Sequence, residues 1–133
     1  MRKFITAVAL LSAAACGSTS PADINVAGTY KLKTINGAPV PFVVVNNATA
    51  KLEFLDDQII LTPSGKYQQI GHSRTTEGGQ VTTATITSAG TYTRTANEIV
   101  LRDGVDNTAT SGNILENSLY VTHFGLAAAY EKQ

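Results

Sequence analysis

From Val26 onward, large apolar and polar side chains alternate along the chain. Tyr30 and Leu32 are interleaved with Lys31 and Lys33, and Leu52 and Phe54 with Lys51 and Glu53. A period of two puts bulky apolar groups on one face and charges on the other, the pattern of a half-buried β-strand. Turn signals cut the alternation at short intervals: Asn36-Gly37, Asn46-Asn47, Asp56-Asp57, Thr62-Pro63-Ser64-Gly65, Glu77-Gly78-Gly79, Thr95-Ala96-Asn97 and Asp103-Gly104. Between them lie strand candidates at 42–45, 58–61, 67–75, 98–102, 108–114, 118–122 and 126–132. The longest runs over 80–94, with Gly90 as a kink. Pro39 and Pro41 predict a loop outside the ladder, because neither donates a backbone hydrogen bond. Nine or ten strands at this spacing, with no helix between them, predict an all-β fold. Short connections favour an antiparallel up-and-down (meander) β-barrel of about 8–10 short strands, in which sequence neighbours pair and closure removes exposed edges.

The first residues break this pattern. Arg2 and Lys3 precede an apolar run from 4 to 15 that has no alternation and ends Ala13-Ala14-Ala15-Cys16. A dozen residues fall short of the roughly 20 that a membrane-spanning helix needs. Gly17-Ser18-Thr19-Ser20-Pro21 then reads as a flexible tether. The expected organisation is a signal peptide at 1–15, a lipid-attachment cysteine and linker at 16–24, and one folded domain at 25–133. Ordinary cleavage after Ala13-x-Ala15 is the competing route and leaves a free N-terminal thiol. Cys16 is the only cysteine, which excludes an intrachain disulfide. Lipid on Cys16 makes the membrane a partner. It places the protein in the bacterial cell envelope, on the outer membrane facing periplasm or surface.

Acidic and basic side chains are equal in number over the whole chain, and no basic run exists. That removes the electrostatic footprint of a nucleic-acid binder. Thr, Ser, Asn, Gly and Val dominate after Cys16, a β composition without Trp.

Little catalytic chemistry is in view. His72 and His123 stand alone, whereas a metal site needs three or four suitably spaced donors. No serine sits in a nucleophile-elbow motif, and the anchor consumes Cys16. Asp56-Asp57, and Asp103 with Asp106, read as turn residues rather than carboxylates facing each other across a cleft. The expectation is no enzyme, no metal and no cofactor. The five tyrosines, Tyr30, Tyr67, Tyr92, Tyr120 and Tyr130, either pack as barrel core and strand surface or line a ligand cavity. Asn47-Ala48-Thr49 matches a glycosylation sequon and reads as a turn.

Val26-Ala27-Gly28-Thr29-Tyr30-Lys31-Leu32-Lys33-Thr34-Ile35-Asn36-Gly37-Ala38-Pro39-Val40-Pro41 resembles the opening of small bacterial lipocalin-like lipoproteins. A second stretch, from Gly90-Thr91-Tyr92 to Ile99-Val100-Leu101-Arg102-Asp103-Gly104, is similar to a later segment of the same group. Gly-Thr-Tyr thus occurs twice, and Tyr30 stands where lipocalins carry Trp. The resemblance implies a meander barrel around a hydrophobic interior. The expected function is to bind a small apolar molecule there, with Tyr30, Phe54, Tyr92, Leu101 and Tyr120 as the ligand-binding residues. Val43, Val45, Leu52, Ile59, Leu61, Ile86, Ile99, Leu119 and Val121 complete the expected lining or filling. The alternative is an envelope protein-protein interaction or inhibitor module acting through loops 36–41, 74–79 or 103–108.

Overall fold

A computed structural model describes residues 26–133. The expected signal segment and Cys16 lie outside the described residues. Ten strands follow one another: β1 (Gly28–Ile35), β2 (Ala38–Pro39), β3 (Phe42–Asn46), β4 (Ala50–Leu61), β5 (Lys66–Glu77), β6 (Gln80–Thr95), β7 (Glu98–Asp103), β8 (Ala109–Leu115), β9 (Ser118–His123) and β10 (Leu126–Lys132). From β4 to β10 each strand pairs antiparallel with the next, and β1 pairs with both β10 and β4. The result is a closed eight-stranded meander barrel, with β2 and β3 as short flanking strands on β1 and β4.

Two sequence expectations needed correction. Asp56-Asp57 is not a turn: β4 runs straight through it, and the ladder absorbs the extra residue as a bulge between Phe54 and Asp56. Pro39 does join the sheet, opposite Thr34, on the outermost strand of the order, where a missing N–H costs no ladder bond. The other turn signals hold. Asn47 closes its turn by accepting hydrogen bonds at Oδ1 from the backbone N–H of Thr49 and Ala50, at 2.9 and 2.8 Å.

Inward positions alternate along the barrel strands, shifting phase only at the bulges in β1 and β4. Tyr30, Ile59, Leu61, Ile99, Ile114 and Leu119 are the largest fully buried side chains, and Leu32, Tyr67, Leu101, Val121 and Tyr130 surround them. Both Gly-Thr-Tyr sequences send their tyrosine to this side. Tyr30 is buried and donates to Val26 O at 2.8 Å; Tyr92 is half-buried and donates to Thr62 O at 2.6 Å.

Three strands are too long for the barrel. β4, β5 and β6 have 12, 12 and 16 residues, against 6 to 8 in the other barrel strands. Their surplus, joined by β3, forms a four-stranded arm in the order β3-β4-β5-β6. The arm rises from one end of the barrel. The chain enters at the other end, where Gly28 lies opposite Leu61.

The outer face of the arm is held by ions. Glu53 is buried between Lys51, at 3.0 Å, and Arg74, at 2.8 Å. The hydrogen bond from Arg74, then that from Lys51, holds the Glu53 carboxyl down at about 2 against an ordinary 4.5. Between those values the unfolded chain binds more protons at this residue than the native one, so its contribution to stability rises with pH through that window. Glu53→Gln is therefore expected to flatten the fall in melting temperature on acidification from about pH 5 to pH 2.5. An unchanged slope in thermal unfolding would remove Glu53 from the account.

Candidate functional site

The sequence assigned five residues to a ligand, and the barrel divides them. Tyr30 and Leu101 are core, with 1% and 4% of their surface exposed. Tyr92 is half-buried beside Leu101, its partner across β6 and β7. Phe54 lies where the barrel meets the arm, opposite Phe42, and both pack on the core while remaining partly open. Tyr120 points the other way. Leu119 and Val121 take the inward positions of β9, so the residue between them must face out.

The wider lining divides in the same way. Ile59, Leu61, Ile99, Leu119 and Val121 are buried. Val43, Val45 and Ile86 are 41%, 41% and 46% exposed, because they lie on strands that no second layer covers among the described residues. Val43 faces outward opposite Glu53. Val45 pairs with Leu52 and Ile86 with Gly71, which places both on the inner face; Val45 lies next to Leu52, whereas Ile86 lies in the row Asp57–Gly71–Ile86, across β5 from Phe54. A strip of Phe42, Phe54, Leu52 and Val45 thus runs from the core up the inner face of β3 and β4, with Ile86 on the same face across β5.

Beneath this strip lies a polar cluster that turn-reading of Asp56-Asp57 missed. Asp57 shares its face with Ile59 and Leu61, and spacing by two was the available signal. Its Oδ2 accepts hydrogen bonds from Tyr130 Oη at 2.6 Å and Gln69 Nε2 at 2.5 Å, while Oδ1 is buried with no side-chain partner among the described residues. Burial pushes the Asp57 carboxyl above its ordinary range, against the opposing pull of those two hydrogen bonds. Burial, then the Asp57 charge, pushes the Tyr130 hydroxyl up as well. A second chain links Tyr67 Oη to Ser88 Oγ at 2.9 Å, and Ser88 Oγ donates to Asp103 Oδ2 at 2.7 Å. The other Asp103 oxygen accepts the backbone N–H groups of Val105 and Asp106. Asp103 is therefore engaged in shaping the β7–β8 loop, and the Ser88 bond holds its carboxyl below the usual range.

Two open grooves lie outside the barrel. One of about 440 Å³ crosses β8, β9, β10 and β1, floored by Ala127 and Ala129, with Tyr120, Asn113 and Thr34 beside them. The other, of about 490 Å³, lies at the arm tip between the turn at Asn47 and Gly78-Gly79. The histidines stay apart: His72 meets Asp56 at 2.6 Å on the arm, and His123 packs edge-on against Phe124. No family model matches the chain, and no curated protein matches it.

Proposed function

We propose that this is a non-enzymatic binding module of the bacterial cell envelope, tethered by lipid on Cys16, that carries a small apolar molecule at the rim of its barrel. The observation behind the reading is an apolar strip left open above a filled core. Phe42 and Phe54 are partly buried against the core, half-buried Leu52 lies beside them, and Val45 carries the same face into solvent, with Ile86 exposed on that face across β5. Contiguous apolar surface of this kind marks a binding region, because burying it against a ligand recovers the hydrophobic free energy that folding left unused. A molecule laid along the strip leaves the core residues undisturbed. The described chain begins at the opposite end of the barrel from the strip, where Gly28 pairs with Leu61, which leaves the strip clear of the start of the domain.

Mass spectrometry of the protein purified from a bacterial envelope tests both halves of the reading. Lipid on Cys16 is a mass that survives denaturation; a carried apolar molecule is a mass present in the native spectrum and lost on unfolding. Val45→Asn, which changes an exposed position of β3, is expected to weaken that association about tenfold. A native mass equal to the bare or merely lipidated chain overturns the carrier reading. The second reading, a protein-binding module, then gains from Val105 and Phe124. These are 98% and 92% exposed in the β7–β8 and β9–β10 turns at the arm end of the barrel.

A further inference from the structure

The barrel closes, but the arm does not. β7 pairs with β6 only from Gly90 to Thr95, and Gly104 N donates the last bond on that side to Ala89 O at 2.9 Å. Residues 80–88 of β6 therefore have β5 on one side and, among the described residues, no strand on the other. Backbone groups along a strand alternate in direction. Because the Ala89 carbonyl points off the β5 side, Val81, Thr83, Thr85 and Thr87 present their N–H and C=O groups to the open edge.

Free edges are usually blunted, and the contrast within the arm is instructive. The other edge, β3, is five residues long, follows Pro41, carries a bulge between Val43 and Val45, and ends at Asn46-Asn47. β6 has none of these devices. Gln80-Val81-Thr82-Thr83-Ala84-Thr85-Ile86-Thr87 holds no charge, no proline and no glycine. Its register with β5 is unbroken over twelve pairs, and all eight residues are exposed. Five of the eight are β-branched Thr or Val, with one Ile, the side chains that favour an extended pairing strand.

We propose that this edge pairs with the same edge of a second copy of the chain, antiparallel about a two-fold axis at Thr83 or Ala84. Such pairing is isologous, so a residue that faces out in one copy meets one that faces out in the other. With the axis at Thr83, Thr83 bonds Thr83 of the second copy and Val81 bonds Thr85, all of them residues whose backbone groups point off the edge. Thr–Thr and Val–Thr neighbours suit a ladder, and no like charges meet. The two arms become one continuous sheet of eight strands, with the two barrels projecting from opposite ends. A second copy fits better than a filament, because self-pairing consumes the one bare edge that the described residues of each arm present and leaves the two blunted β3 edges outermost. The proposal is independent of the ligand reading, since it uses main-chain groups of β6 and no apolar contact on the strip.

Native mass spectrometry of the full chain in detergent reads the oligomer directly. The wild-type chain is expected as a closed dimer. Thr83→Pro deletes an N–H that serves no bond within the copy, and is expected to raise the dimer dissociation constant at least about tenfold while circular dichroism stays that of the folded barrel. Thr83→Lys keeps the N–H but sets like charges across the axis, so it gives the same loss even if proline disturbs the arm. Thr83→Val leaves the dimer in place. A wild-type monomer, an open-ended polymer, or a dimer that survives both Thr83→Pro and Thr83→Lys overturns the proposal.

Discussion

Gly90→Ala is expected to destabilise the folded barrel severely. A Cβ built at residue 90 would lie 2.0 Å from the backbone oxygen of Arg102 and 2.9 Å from the backbone nitrogen of Gly104. Both are main-chain atoms, so no side chain can swing aside. The crowding arises because β6 turns here from the arm into the barrel wall and crosses close over the end of β7. Separating the strands by more than an ångström breaks the Gly90–Asp103 register and the bonds beside it. A cost of about 4 kcal/mol or more is expected, a large share of the about 5–15 kcal/mol that holds a domain together. Gly125→Ala is the matched comparison. Its φ of +75° disfavours a side chain, but no atom lies within 4 Å of the new Cβ, so it should cost only about 1 kcal/mol. Urea unfolding of the two variants separates them. Equal, small losses would mean that the strands part easily at residue 90.

Tyr130→Phe is expected to cost about 2 kcal/mol at neutral pH, and less in acid. The hydroxyl supplies one of two side-chain hydrogen bonds to a carboxylate whose other oxygen is buried with no side-chain partner among the described residues. The Asp57 carboxyl sits above its ordinary 3.8 in the folded chain. Above 3.8 the native state therefore holds more protons there than the unfolded state does, and stability falls as pH rises through the folded-state pKa. The Tyr130 hydrogen bond favours the charged form. Without it the folded pKa rises further and the loss above it grows. In acid, where Asp57 is protonated in both states, little of this difference remains. Urea midpoints at about pH 3 and pH 7 should show the wider gap between wild type and variant at pH 7. A gap of the same size at both would remove the Asp57 charge from the explanation.

How far the chain was readable depends on which interactions are local. Strand boundaries followed turn chemistry: Thr62-Pro63-Ser64-Gly65 and Glu77-Gly78-Gly79 sit at the ends of strands because proline, glycine and Asx side chains shape the backbone within a few residues. Asp56-Asp57 failed as a turn signal for the opposite reason. Its neighbours on β5, His72 and Gly71, are far along the chain, and pairing with them carried the strand through. The candidate site divided likewise. Leu119-Tyr120-Val121 already showed by alternation which residue must face out. Whether Phe54, Val45 and Ile86 were core or open surface was not legible, because apolar residues of one period look alike whether or not a second layer covers them.

Alternation and turn residues alone determined that this protein is a meander of short antiparallel strands, since both act over two to four residues of chain. The tertiary structure alone decided where the barrel closes. β1 pairs with β4, skipping β3, so β4, β5 and β6 overrun the wall and stand out as an arm. Closure sets how many residues of each strand the wall can use, and the surplus becomes the open apolar strip and the bare edge of β6. Those features depend on contacts between residues far apart in sequence, which no local pattern records.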